Sequence, residues 1–400
     1  MALGFQTLAG IAWGQILVPF QSNLPAGIYS DGAWADFNQD GYQDLALSYI
    51  QPGRMVGRRM NPDTTRTELY RYNPSLNRFD LHVGWNLGGL RLGWGDLDKN
   101  GWPDLLVTSA NQVGTWFMNQ GTAAGSIQYN TAVYLCRGYQ DFRIADLNQS
   151  GWQDVVAIGT GDLPNAVVSM HQNDYFHYTE PMNLGLTPVT SSGRTALAVG
   201  DLDNDGLPDV VESGETSSPM GTQPLTRVCR GALTLPYNQL HYTAKADLAP
   251  VTSGSITLFD YDGDGDLDIL VTGCTLGSTN GWSVGLYRND GNFVFVAVGN
   301  TGLDAFGRST ADFADINLDG KPDLVLSGNT ASGLKTRVYL NQGAGANPVF
   351  VETSPGSIPG VDWGTVRFGD FNHDARPDLL VTGSLASGLN TATVYRNALP

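Results

Sequence analysis

One nine-residue pattern returns seven times along the chain: Asp, any residue, Asp or Asn, any residue, a small polar residue, Gly, two residues of any kind, Asp. It reads DFNQDGYQD at 36–44, DLDKNGWPD at 96–104, DLNQSGWQD at 146–154 and DLDNDGLPD at 201–209. DYDGDGDLD follows at 260–268, DINLDGKPD at 315–323 and DFNHDARPD at 370–378, where Ala375 replaces the glycine. The intervals are 60, 50, 55, 59, 55 and 55 residues. A fixed period of this size marks a repeat array, in which each unit buries its apolar face only against its neighbours.

The flanks repeat with the loops. Large and small residues alternate just before each loop, as in Leu92-Gly93-Trp94-Gly95 and Val366-Arg367-Phe368-Gly369. Period two means a strand with two distinct faces. A solid apolar run follows each loop, as in Leu105-Leu106-Val107, Ile269-Leu270-Val271, Leu324-Val325-Leu326 and Leu379-Leu380-Val381. Such a strand is covered on both faces. Glu212 is the charged exception. Two further strand-like pieces complete each repeat, for example Val338-Tyr339-Leu340 and Val349-Phe350-Val351.

Four strands per repeat fit radial packing around a channel, with a linear solenoid as the rival. The chain ends decide. The last repeat stops after its third strand, at Asn397-Ala398-Leu399-Pro400, while Ile16-Leu17-Val18-Pro19 is a spare strand at the other end. Ring closure uses both and removes exposed sheet edges. The expectation is all-β: a seven-bladed β-propeller of four-stranded antiparallel blades, one domain over 1–400, closed by the N-terminal strand. Fifty glycines, twenty prolines and 15% charged residues suit many short strands and tight turns. No long amphipathic helix, coiled-coil heptad or run of eighteen apolar residues interrupts this pattern. The apolar N-terminus has no basic segment or clear cleavage site and reads as structure rather than a signal peptide.

Oxygens at loop positions 1, 3, 5 and 9, with the position-7 carbonyl, can converge on one cation. A mixture of Asp, Asn and carbonyl oxygens at loose geometry suits calcium. Glycine at position 6 supplies the positive φ that folds the loop around the ion. The acid at position 9 rather than 12, with strands on both sides, excludes an EF-hand. The expected ligands are Asp36, Asn38, Asp40 and Asp44; Asp96, Asp98, Asn100 and Asp104; and Asp146, Asn148, Ser150 and Asp154. The later loops offer Asp201, Asp203, Asp205 and Asp209; Asp260, Asp262, Asp264 and Asp268; Asp315, Asn317, Asp319 and Asp323; and Asp370, Asn372, Asp374 and Asp378.

These positions hold 22 of the 39 acidic residues. Two carboxylates ~4 Å apart repel by roughly 4 kcal/mol at an effective dielectric of 20. Seven Ca2+ ions would take the net charge from −17 to −3. The loops at 201–209 and 260–268, with four acids each, are expected to bind tightest. The loop at 146–154 has two acids, and Ala375 puts the last turn in question. Metal-free Asp-Gly turns are the alternative.

The Asp-rich loop followed by Pro-Asp-Leu-Leu-Val-Thr-Gly resembles the FG-GAP/VCBS repeats of integrin α-subunit propellers and of many secreted bacterial proteins. The resemblance covers essentially the whole chain and implies the propeller fold and calcium. Phe-Gly pairs occur at Phe306-Gly307 and Phe368-Gly369 but not regularly, so integrin partners do not carry over. The family includes adhesion domains, lectins and some polysaccharide lyases, so function has to be argued from the site.

A net charge of −17 and a pI near 4.5 argue against nucleic acid and against membrane insertion. Cys136, Cys229 and Cys274 read as buried free thiols, with a Cys229–Cys274 bridge as the alternative. Calcium loops stiffen one face, leaving the face of the two-to-three loops and inter-blade segments for recognition. The candidates there are Tyr29, Trp85, Tyr139, Trp282, Phe306 and Trp363, with inter-blade packing as the alternative for each. Arg54, Arg58, Arg59 and Arg66 in the longest two-to-three loop could grip a carboxylate or sulfate. Trp102 and Trp152 are expected to cover their loops.

None of the five histidines falls on that face: His82, His177 and His241 read as fourth-strand residues, His171 as third-strand and His373 as a loop residue. No nucleophile elbow, phosphate loop or zinc signature occurs. The expectation is an extracellular, non-catalytic adhesion module for a glycan or surface protein. The alternatives are a polysaccharide lyase using Tyr29 or Tyr139 with Arg54 or Arg59, and a structural subunit of a surface assembly.

Overall fold

The computed structural model describes residues 16–399 except 54, 57–58, 61–62, 88, 90, 109–113, 122–126, 136–138, 160–165, 169–184, 187–194, 219–220, 235–238, 276–280, 346 and 354–356. Each loop pattern joins the first and second strands of one antiparallel sheet. Repeat 1 comprises Ile28–Ala35, Asp44–Gln51, Thr64–Asn73 and Arg78–Trp85. Repeat 2 comprises Arg91–Gly95, Asp104–Thr108, Gly114–Asn119 and Ile127–Leu135. Repeats 4, 5 and 6 begin with Ala196–Gly200, Thr252–Phe259 and Gly307–Ala314, and each has four strands. In repeat 7, Asp362–Gly369, Asp378–Ser384 and Asn390–Asn397 are completed by Leu17–Gln21 from the other end of the chain. Leu17 pairs with Asn397 and Val18 with Arg396, the closure expected from the spare strand.

Among the described residues six sheets thus have four strands, not the seven expected. Repeat 3 shows three, Tyr139–Ala145, Asp154–Gly159 and Ala166–Val168. The stretch after them, which carries His171, is where the expected fourth strand belongs. It lies outside the described residues, as do His177, Cys136 and Phe5-Gln6-Thr7-Leu8. His82 and His241 stand on fourth strands and His373 in its loop, as read from the sequence.

The first strands form a closed circle. Ile28–Ala35 touches Arg91–Gly95, and contacts continue through Tyr139–Ala145, Ala196–Gly200, Thr252–Phe259, Gly307–Ala314 and Asp362–Gly369 back to Ile28–Ala35. A solenoid would leave its ends apart. Hydrophobic clusters fill the spaces between consecutive sheets: Val325 and Val338 of repeat 6 with Val366 and Leu379 of repeat 7, and Val211 and Val228 of repeat 4 with Ile269 and Val271 of repeat 5. The second strands supply most of this burial, and Leu105, Leu106, Leu324 and Leu380 are solvent-inaccessible. Each such side chain contributes about 1.5–3 kcal/mol relative to exposure.

Cys229 and Cys274 are free thiols, so the alternative bridge is absent. Cys229 is buried, with its Sγ 4.0 Å from the buried Glu212 carboxylate, while Cys274 is half-buried.

Candidate metal centres and recognition rim

The seven loops share one hydrogen-bond plan. The position-1 carboxylate accepts two backbone amides, as Asp315 does from Asp319 (2.9 Å) and Gly320 (2.7 Å). The position-5 side chain accepts the amide of position 7, as Asp205 does from Leu207 at 2.9 Å. The position-9 aspartate is fully buried and ties the loop to the third strand. Asp268, for instance, accepts the amides of Tyr261 (3.0 Å) and Asn289 (2.9 Å). Burial pushes the Asp44 carboxyl up to about 8, and those of Asp104, Asp209, Asp268, Asp323 and Asp378 to about 7.

Three loops bring three carboxylates within 4.8 Å of one another: Asp96, Asp98 and Asp104; Asp201, Asp203 and Asp209; and Asp260, Asp262 and Asp268. These are the loops with Asp rather than Asn at position 3. Several inward oxygens at ligand positions are buried without a hydrogen-bond donor, namely Asp44 Oδ2, Asp203 Oδ1, Asp262 Oδ1 and Asn372 Oδ1. Orphaned buried acceptors are costly, and a hard oxygen-seeking cation such as calcium is the group that would satisfy them. The donor set fits.

Position 6 confirms its sequence reading. Gly41, Gly101, Gly151, Gly206, Gly265 and Gly320 all have φ between 78° and 96°. Ala375 takes the same turn at φ 62° and donates its amide to Asp370 Oδ2 at 2.7 Å. The last loop therefore keeps the shared geometry at the cost of a strained alanine.

Two links between neighbouring loops were not read from the sequence. Position 4 adopts positive φ and reaches the next repeat: Gln39 Nε2 donates to Gly101 O (2.6 Å), Gln149 Nε2 to Gly206 O (2.7 Å) and Asn204 Nδ2 to Asp266 Oδ1 (2.6 Å). Lys99 of the preceding loop lies over the Trp152 ring at 5.3 Å. Trp102 packs over the turn at Gly121. In addition, third-strand asparagines donate backward to the position-2 carbonyl of the preceding loop: Asn119 to Phe37 (2.7 Å), Asn289 to Leu202 (2.8 Å), Asn341 to Tyr261 (3.1 Å) and Asn397 to Ile316 (2.9 Å). Asn after Tyr-Leu or Tyr-Arg in repeats 5, 6 and 7 was the available signal.

Two arginines also reach the loops. Arg230 contacts Asp203 (2.8 Å) and Asp205 (2.6 Å), and Arg71 contacts Asp40 (2.9 Å). The four-acid loop of repeat 4 is thus partly neutralised by its own sheet, which the acid count alone does not show.

The opposite face divides the rim candidates. Tyr29 and Trp363 meet with ring centroids 4.8 Å apart, and Arg308 lies over Trp363 at 5.8 Å while pairing with Asp362 at 3.0 Å. Tyr29, Arg308 and Trp363 have φ of 51°, 46° and 51°, each inside a bulge where its first strand begins. Left-handed backbone at bulky residues is uncommon and strained, and here it turns three side chains toward one rim. Tyr29 remains 36% exposed.

Phe306, by contrast, is fully buried among Phe259, Tyr339 and Phe350, so it is core and not a contact residue. The residue after it in the bulge register, Arg308, takes the rim position instead. Trp85 packs on Phe117 at 4.2 Å between repeats 1 and 2. Trp282 is half-buried against Gly307 and Cys274. Arg54 and Arg58 lie outside the described residues, as do the side chains of Arg59 and Tyr139. The longest two-to-three loop contains a small hairpin pairing Met55 with Met60. Arg66 at its end stands 3.7 Å from Glu68.

The FG-GAP-like repeat profile matches residues 96–157, 146–212, 260–326 and 315–381, together more than half of the chain. The chain belongs to the FG-GAP-like repeat family. Integrin alpha-6 of Homo sapiens is 36% identical over 81 residues, and that of Gallus gallus is 34% identical over 80. Each match spans 18% of this chain and 7% of the integrin, so the likeness concerns the repeats and not the whole receptor. Among solved structures, BBS1N, crystallised in complex with ARL6DN, superposes with TM-scores of 0.50 and 0.51 at 12% and 11% identity. The alignment covers 96% of this chain and 97% of that one, and shows a shared fold. Every FG-GAP match begins at the first aspartate of a loop described above or within its span.

Proposed function

We propose that the chain is a calcium-stabilised, extracellular binding module that recognises a glycan or surface protein without catalysis. The orphaned ligand-position oxygens support calcium in the loops, and extracellular calcium is where loops of this weak class fill. Seven blades, with the whole of 1–400 forming one domain, are proposed. Integrin likeness supports a secreted or surface-displayed domain.

The observation that carries recognition is the Tyr29–Trp363 pair with Arg308 above it. Aromatic faces beside a guanidinium suit a sugar ring or an aromatic-anchored protein contact. Trp282, Trp85 and the loop bearing Arg54, Arg58 and Arg59 flank this reading, with Tyr139 on the same side of its sheet by strand order. Most acids are committed to the loops, which leaves few for paired-carboxylate chemistry. A glycan array probed with the intact chain in calcium tests this reading. Binding that Trp363→Ala and Tyr29→Ala each reduce at least tenfold supports it. Binding unaffected by both removes the rim, and turnover of a uronic-acid polymer would establish a lyase instead.

A further inference from the structure

Two neighbouring spaces, sharing Arg143, Ile256, Ala311 and Arg367 in their walls, lie on the axis of the ring. Each is lined by first strands of repeats 2 through 7, which places it on the axis. The wider space, about 410 Å3, is bounded by Trp94, Arg143, Thr257, Asp312 and Arg367, residues near the loop-side ends of their strands. The narrower space, about 40 Å3, lies toward the strand starts. That is room for about three waters, or for one small oxyanion group.

The narrow space is lopsided in charge. Arg91, Arg143 and Arg367 line it, together with a single carboxylate, Asp141, and the hydroxyl residues Ser255, Ser309, Thr310 and Thr365. Asp141 is already committed: Arg143 approaches at 2.7 Å, Arg91 at 3.3 Å, and the Leu197 amide donates at 3.0 Å. Asp31 nearby accepts the amides of Gly32 and Leu92 at 3.0 Å each. Arg367 forms no ion pair among the described residues and donates only to the backbone carbonyls of Val366 (3.3 Å) and Ala311 (3.5 Å). Asp312, in the wider space, accepts the Phe368 amide at 2.8 Å. Within the narrow space three guanidinium groups face one carboxylate, while Asp31 acts on Arg91 and Asp312 on Arg367 from beyond its lining. Buried cations call for anionic partners, and low-dielectric walls focus their field on the axis.

We propose that the axial channel is an oxyanion site, which takes a carboxylate or sulfate group at the level of Arg91, Arg143 and Arg367. The planar guanidinium forks supply paired donors, as such groups require, and Ser255, Ser309, Thr310 and Thr365 add hydroxyl groups to the lining. The wider space, within the size range of small-molecule pockets, admits the body of a ligand whose acid group descends the axis. This site is independent of the rim.

Isothermal titration calorimetry of the intact chain tests it, with sodium sulfate and sodium glucuronate as probes against sodium chloride at matched ionic strength. Saturable one-to-one binding of either probe is the expected result. Arg367→Gln should weaken it at least tenfold, and Thr257→Glu, which adds a carboxylate to the wall without removing an ion pair, should abolish it. Arg78→Gln, in an exposed pair with Asp80 on an outer strand, should leave it unchanged. Sulfate alone would identify a small inorganic ion as occupant; glucuronate as well would identify a carboxylate-bearing ligand. No saturable heat with either probe overturns the site, as does full affinity in folded Thr257→Glu. Should Arg367→Gln not fold, Arg143→Lys together with Thr257→Glu carries the same comparison.

Discussion

The boundary between repeats 7 and 1 and the boundary between repeats 4 and 5 are the same joint built from different materials. At the 4–5 boundary the loops are clasped by polar groups: Asn204 reaches forward to Asp266 and Asn289 reaches back to Leu202. At the 7–1 boundary no such pair occurs among the described residues, and an aromatic cluster takes its place. Phe371 packs against Phe20 (4.7 Å), Tyr72 (5.0 Å), Phe79 (5.2 Å) and Trp34 (6.3 Å). The strand exchange of Leu17–Gln21 onto Asn390–Asn397 then seals the ring. Hydrophobic contact is non-directional and tolerates a shift, whereas a clasp works only while both loops hold their shape. The closing joint therefore meets the loops through the apolar contacts of Phe371 and Tyr42, whereas directional polar bonds couple the 4–5 joint to them.

Substitutions at the two joints should separate these behaviours. Phe79→Ala, at the aromatic joint and outside any loop, is expected to cost about 3–5 kcal/mol. Chemical denaturation should return the same loss in calcium and in EDTA; a loss confined to one condition would break the contrast. Asn289→Ala strips the Leu202 carbonyl, the Leu267 carbonyl and the Gly291 amide of their partner, and should cost about 1–3 kcal/mol. Its cost should be larger in calcium than in EDTA, because only ordered loops present the clasp. Ala375→Gly relieves the left-handed alanine and should stabilise the chain by about 1 kcal/mol, read as a higher denaturation midpoint.

Acid–base behaviour sharpens the comparison further. Six position-9 carboxyls have an ordinary value of 3.8 and stand near 7 to 8 in the metal-free fold through burial. Between those values the folded chain holds protons that the unfolded chain has released. Metal-free stability should therefore fall as pH rises from about 4 to about 8. Bound calcium selects the ionised form and should flatten or reverse this slope. Melting curves across that range, with and without calcium, measure both slopes, and parallel slopes would contradict the linkage.

Much of this was legible because the chain repeats. The loop pattern, the alternating first strand and the doubly apolar second strand each recur often enough that chance matches fall away, and the spare strand at Leu17 located the closure. What escaped was whatever depends on neighbours in the ring. Phe306 and Trp363 occupy similar inter-repeat segments, yet one is core and the other is rim, because Phe306 precedes the bulge of its first strand and Trp363 lies inside its own, and no period-two pattern encodes where a bulge falls. Arg91, Arg143 and Arg367 looked like ordinary members of alternating strands, and only the closed ring brings them to one axis. The pattern leaves position 4 open to any residue, yet Gln39, Gln149 and Asn204 there span to the next repeat.

The most direct test is the calcium content of the purified chain after dialysis against trace-free buffer containing calcium, measured by elemental analysis beside a melting curve in EDTA. Several bound ions per chain are expected, one fewer in Asp260→Asn/Asp262→Asn, with a clear drop in melting temperature on chelation. At a hundredfold excess of calcium over Kd, each occupied loop adds about 2.7 kcal/mol. No bound ion and an unchanged melting temperature would mean that aspartates alone fold these loops, contradicting the account at its root.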